Sequence, residues 1–313
     1  MKRPLFLFLL LMSPVTMAGG KFAPPAGKVL LFVGQDVNTI SAYLKGAPML
    51  PAGLMGYTSL QNLEGLDESY DDGGGEQHAQ ALVETYPDTA LQIGLYLVDQ
   101  LDGAASGHYD DRIDKLGAWI KSTHRPILLR VGYEFDNPGN HYDPKQYVAA
   151  YRHIVDRLRS KGVDNVAFVW HSFAQGNPER MMAWYPGDAY VDWVGASYFG
   201  QFPKFISRVS AVADRLNKPL MLAETSSWYV HNEAQREVFF RRLFKFIDEH
   251  NVGALCYIAA NWNAQPMWEQ QHYGDGRVEP YPAVFKIWTE ETSKDTFLKS
   301  SPQLFQTIGF SPS

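Results

Sequence analysis

The stretch PILLRVGYEF, residues 126–135, starts as an apolar strand and closes on a carboxyl, Glu134. The stretch PLMLAETSS, residues 219–227, does the same and closes on Glu224. A carboxyl at the end of an otherwise apolar strand is costly to bury unless it has a compensating role. These two stretches are the fourth and seventh of eight β-rich runs along the chain: Val29–Gly34, Leu54–Thr58, Leu91–Val98, Pro126–Val131, Val166–His171, Val191–Tyr198, Pro219–Glu224 and Ala254–Ala260. Most are nearly continuous in apolar residues, as strands covered on both faces should be.

Helical patterns fill the intervals. Asp143-Pro144 reads as an N-cap followed by a first helical residue. Tyr147, Ala150, Tyr151, Ile154, Val155 and Leu158 then form one apolar stripe, and Gly162 is placed to end that helix. Val238, Phe240, Leu243, Phe244 and Ile247 make a second stripe, and Ile206, Val209, Ala213 and Leu216 a third. Strand and helix alternating eight times predict a parallel sheet. GQDVN after the first run is no glycine-rich phosphate loop, which disfavours an open dinucleotide-binding sheet. The expected fold is therefore α/β, a single-domain (β/α)8 TIM barrel. The polar stretch DESYDDGGG, residues 67–75, reads as a loop after the second strand, and the tail after Ser293 is expected on the barrel exterior.

The N-terminus reads as a secretory leader. Lys2 and Arg3 precede the apolar run Leu5–Met12, and small residues lead to a cleavage site after Ala18. The expected division is a signal peptide over 1–18 and one domain over 19–313, secreted or periplasmic. The chain carries 28 Lys+Arg and 34 Asp+Glu. Without Lys2 and Arg3 the balance is 26 − 34 = −8. Such a charge leaves no footprint for nucleic acid and gives no attraction to an anionic membrane surface. Cys256 is the one cysteine, and it reads as a small buried hydrophobe. The nine histidines show no HExxH or paired-cysteine spacing, so neither a metal nor another cofactor is expected. A GxSxG elbow is also missing.

In a barrel the reacting groups stand at the C-terminal ends of the strands. Tyr133 and Glu134 stand after the fourth run, His171 after the fifth, Tyr198 after the sixth, Glu224 and Trp228 after the seventh, and Trp262 after the eighth. Carboxylates and amides bind hydroxyls, and aromatic faces stack on the C–H faces of sugar rings, so a polysaccharide or oligosaccharide is the expected partner.

Arg130-Val131-Gly132-Tyr133-Glu134 resembles the R-x-x-H-E segment of glycoside hydrolase family 26, a clan A family that contains β-mannanases. The segment from Trp184 to Gly195 resembles that family's approach to the sixth strand, and Ala223-Glu224-Thr225 its nucleophile strand. Trp262 matches the clan's tryptophan at the end of the eighth strand. Tyr133 stands where the family typically has histidine. The resemblance implies a retaining β-glycosidase with mannan as the first substrate to try, followed by β-glucans, xylan and an exopolysaccharide; the long aromatic mouth points to an endo mode, and a monomer is expected. Glu134 would be its acid/base and Glu224 its nucleophile. Arg130 would steady the nucleophile, and Tyr198 would donate its hydroxyl to Glu224. Tyr133, His171, Trp228 and Trp262 would complete the substrate site. The alternative is a catalytically inactive barrel that binds glycans on its aromatic residues.

Overall fold

Each of the eight apolar runs forms a parallel strand in the computed structural model, which describes residues 19–201 and 203–311. The strands are β1 (Val29–Gly34), β2 (Gly53–Ser59), β3 (Ala90–Tyr96), β4 (Ile127–Val131), β5 (Val166–Ser172), β6 (Trp193–Tyr198), β7 (Leu220–Thr225) and β8 (Val252–Ile258). Each pairs with the next, β8 pairs with β1, and β1 pairs with β2, so the sheet closes. Helices fill the connections, giving a single-domain (β/α)8 barrel. The leader expected over 1–18 lies outside the described residues.

The predicted stripes are buried for the reason that suggested them. The helix Pro144–Ser160 buries Tyr147, Ala150, Tyr151, Ile154, Val155 and Leu158, and Asp143 caps its start by accepting from the Lys145 and Gln146 amides. Ile154, Val155 and Leu158 each contribute about 1.5–3 kcal/mol by leaving water. The helix Glu233–Glu249 differs in one respect: it buries Phe239 and leaves Val238 46% exposed. Its apolar face is set by the larger rings.

Alternation divides the strand side chains into two layers. On β4, Ile127, Leu129 and Val131 pack outward against the helices, while Leu128 points into the barrel. Phe32, Met55, Val169, Met221, Cys256 and Ile258 join Leu128 inside. Cys256 is fully buried and unpaired, as expected. The tail after Ser293 packs against the barrel. A short ninth strand, β9 (Phe297–Leu298), pairs with β1, and Leu304 and Ile308 pack with Phe22 and the interior residues. Trp193 Nε1 donates to the Lys21 carbonyl at 2.8 Å, which ties the N-terminal segment into the same packing.

Candidate active site

Both glutamates reach the upper interior of the barrel, through different backbone devices. β4 ends at Val131, and Gly132 (φ 56°) and Glu134 (φ 52°) then adopt left-handed conformations. That turn brings Glu134 back over the barrel rather than up into solvent. β7 instead carries an extra residue. Ala196 pairs with Leu222, but Ser197 pairs with Glu224. On the other side Leu222 pairs with Leu255, but Thr225 with Tyr257. Strict alternation would send Glu224 outward with Leu222. The bulge turns it inward, which is a common use of bulges beside functional sites.

Glu224 is 7% exposed and forms an ion pair with Arg130, whose Nη1 donates to Oε1. Tyr57 donates its hydroxyl to the same oxygen at 3.0 Å. The Arg130 guanidinium lies over the rings of Tyr57 and Tyr133, 4.8 and 4.9 Å from their centroids. Burial opposes the arginine charge, but Tyr57 and Glu224 outweigh it, and its pKa lies above the usual guanidinium value. Burial, then the Glu224 charge, pushes the Tyr57 hydroxyl well above its usual range. A carboxylate held by a permanent cation and a neutral hydroxyl is paired and fixed in orientation.

Glu134 has the opposite environment. It is 9% exposed, and among the described residues no cation touches it. Ser197 donates to Oε1 at 2.5 Å, and Asn137 Nδ2 donates to Oε2 at 2.9 Å. Burial and the charge of Glu224 push its carboxyl up to about 8, against the lowering effect of Ser197, Asn137 and Arg130. At neutral pH Glu134 holds its proton. The site thus pairs a buried proton donor with a buried, oriented anion.

The chain matches the model of glycosyl hydrolase family 26 over residues 86–229. A β-1,3-xylanase, TXYA, from a Vibrio species is 31% identical, with 93% of this chain and 70% of the relative covered. This chain belongs to glycoside hydrolase family 26. A second β-1,3-xylanase, from an Alcaligenes species, is 29% identical and covers 93% of this chain and 69% of its own. Among solved structures, a family 26 β-mannanase from Bacteroides ovatus superposes with a TM-score of 0.67 at 14% identity, covering 89% of this chain and 93% of its own. At that identity the likeness speaks for the fold. Membership of family 26 makes the chain a glycoside hydrolase and sets aside the reading as an inactive glycan-binding barrel.

The structure redistributes the other residues expected at this family 26 site. Tyr198 is corrected. Its ring faces outward, stacked on Phe239 at 5.4 Å, and Tyr57 makes the bond to Glu224 instead. Alternation explains this, since Ser197 points inward and its neighbour must point out. Arg130 and His171 are both fully buried, so neither lines a substrate surface. Arg130 acts on Glu224, and His171 sits between Arg130 Nη1 at 3.3 Å and Ser197 Oγ at 3.0 Å. Trp228 is also corrected as a sugar platform. Phe199 covers one face at 3.6 Å and Tyr273 the other at 4.0 Å, leaving only its edge. Trp262 is 3% exposed beneath Trp228, Trp268 and Tyr273, and it donates to Ser226 Oγ at 3.2 Å, so it supports the wall from behind. Tyr133 keeps its place at the rim, half-buried between Tyr57 and Tyr96.

Sequence reading missed Tyr57 and Ser197. The signal for Tyr57 lay in its spacing of two from Met55, an interior residue. Gly94 on β3 was a further signal. A Cβ there would lie 2.7 Å from both Arg130 Nη2 and the Tyr57 ring, so glycine makes room for the group that holds Glu224. Among the described residues no cluster of histidine, cysteine or carboxylate side chains could hold a metal ion, and no helix is long and apolar enough to cross a membrane.

Proposed function

We propose that this chain is a retaining endo-β-glycanase and that β-1,3-xylan is its first candidate substrate. The observation that carries the mechanism is the contrast between the two buried carboxyls. Glu134, held protonated at neutral pH, gives its proton to the glycosidic oxygen. Glu224, clamped by Arg130 and Tyr57, attacks the anomeric carbon. The aglycone leaves as a free hydroxyl, and a glycosyl ester on Glu224 remains. Glu134, now ionised, takes a proton from water, and the hydroxide oxygen displaces Glu224 with net retention. Tyr133 at the rim and Tyr273, with the edge of Trp228 beside it, offer apolar surface for the chain near the cleaved bond.

The two β-1,3-xylanases, similar over nearly the whole chain, support that substrate over mannan, because the β-mannanase likeness rests on the fold alone. The leader pattern over 1–18 supports action outside the cytoplasm by the domain that follows. N-terminal sequencing of exported protein tests the cleavage after Ala18.

The deciding experiment follows product release from β-1,3-xylan, β-1,4-xylan, β-mannan and β-glucans with wild type beside Glu224→Ala, and the anomer first formed by NMR. The reading expects cleavage of β-1,3-xylan, the β-anomer first, and no turnover by the variant. Release of the α-anomer would remove retention. Cleavage of only another glycan would move the substrate.

A further inference from the structure

Ser197 lies where two hydrogen-bond paths meet. Its hydroxyl is 2.5 Å from Glu134 Oε1 and 3.0 Å from His171 Nε2. The other ring nitrogen, His171 Nδ1, is 3.3 Å from Arg130 Nη1. Arginine has donors and no acceptor, so Nδ1 must accept. The imidazole proton is then on Nε2 and is donated to Ser197 Oγ. The one hydrogen of Ser197 is left for Glu134 Oε1. Arg130, His171 and Ser197 are each fully buried, so water does not compete for these bonds. The chain of bonds has a single polarity, running from the cation that holds Glu224 to the carboxyl of Glu134.

We propose that His171 and Ser197 are positioning residues for Glu134: His171 fixes the Ser197 hydroxyl as a donor to Oε1, and that donor limits how tightly Glu134 binds its proton. The proposal rests on the reading of Glu134 as the acid/base. Oε2 accepts from Asn137 Nδ2 at 2.9 Å. After transfer both oxygens already face donors, so the new anion meets a preorganised surround. The neutral state of His171 agrees with this, because burial and Arg130 hold its pKa well below the usual imidazole range.

The titratable and charged groups facing Glu134 are Glu224 from β7, Arg130 from β4, His171 from β5 through Ser197, and Tyr142 and Tyr273 from the loops after β4 and β8. Of these only the His171–Ser197 path touches Oε1.

The test uses the leaderless protein with 15N-labelled histidine and 13C-labelled glutamate carboxyls, the Glu134 signal being assigned with Glu134→Gln. In wild type His171 should show a protonated Nε2 and a bare Nδ1 throughout the titration. In Ser197→Ala the ionised carboxyl loses a donor, so Glu134 should bind its proton about tenfold more tightly and titrate at higher pH. Ser197→Thr should restore the wild-type titration. A protonated Nδ1, a charged His171, or an unmoved Glu134 titration in Ser197→Ala would overturn the proposal. Should Ser197→Ala not fold, the tautomer in wild type decides. No turnover enters these readouts, so a protein that cleaves no glycan would defeat the acid/base reading separately.

Discussion

Glu134→Gln should make the protein more stable than wild type in alkali, with the advantage disappearing in acid. The carboxyl in the folded chain holds its proton up to about pH 8, against an ordinary value of 4.5 in the unfolded chain. A folded pKa above the unfolded one contributes stability that is fully present below 4.5 and is lost as pH rises through about 8. The gap of about 3.5 pH units, at about 1.36 kcal/mol each, sets a ceiling of about 5 kcal/mol. Local relaxation around the buried ion lowers that ceiling, so a gain of about 2–4 kcal/mol is expected at high pH. The amide has nearly the shape of the carboxyl and never ionises. It cannot accept from Ser197 and Asn137 on both ends, which costs about 1 kcal/mol at every pH and leaves the slope untouched. Urea unfolding of wild type and variant between about pH 5 and about pH 9 measures the difference directly. A difference that stays flat over that range would refute the argument that burial and Glu224 keep Glu134 neutral.

Glu134→Ala should slow hydrolysis of unactivated polysaccharide by about 100-fold to 10,000-fold and barely affect aryl glycosides with good leaving groups, as initial rates on both will show. Tyr57→Phe removes one of two donors to Glu224 and should lower kcat/KM by about 10-fold to 100-fold, whereas Tyr198→Phe should leave it unchanged; the reverse ranking would contradict the geometry at β2 and β6. Gly94→Ala puts a methyl within 2.7 Å of Arg130 and Tyr57, and should cost about 1–3 kcal/mol in thermal or urea unfolding together with a fall in turnover.

Much of this molecule was legible in the order of its residues. The eight strands lie within a few residues of the eight apolar runs, because a parallel strand covered on both faces must be apolar almost throughout. The stripe from Tyr147 to Leu158 was visible because one helical face meets the barrel. The two glutamates were visible because they break otherwise apolar runs. Tyr198 shows where that reading stopped. It stood at the right end of the right strand, and the choice between it and Ser197 depended on which face of β6 turns inward. The fully buried His171 and the face-covered Trp228 show a related limit. Side-chain chemistry suggested contact with substrate, while their neighbours in space took up the groups that would have made it.

By itself the sequence determined the closed barrel and the two strand ends that carry the carboxyls, since both follow from local hydrophobic pattern. Only the tertiary structure decided what each carboxyl is. The extra residue in β7 turns Glu224 toward Arg130, and the left-handed turn after β4 leaves Glu134 beside Ser197 and Asn137 without a cation. A carboxyl's proton affinity is set by the charges and dipoles within a few ångströms of it. Those come from strands β2, β4, β5 and β6, far apart in the chain, so no local pattern could assign one glutamate to hold a proton and the other to remain an anion.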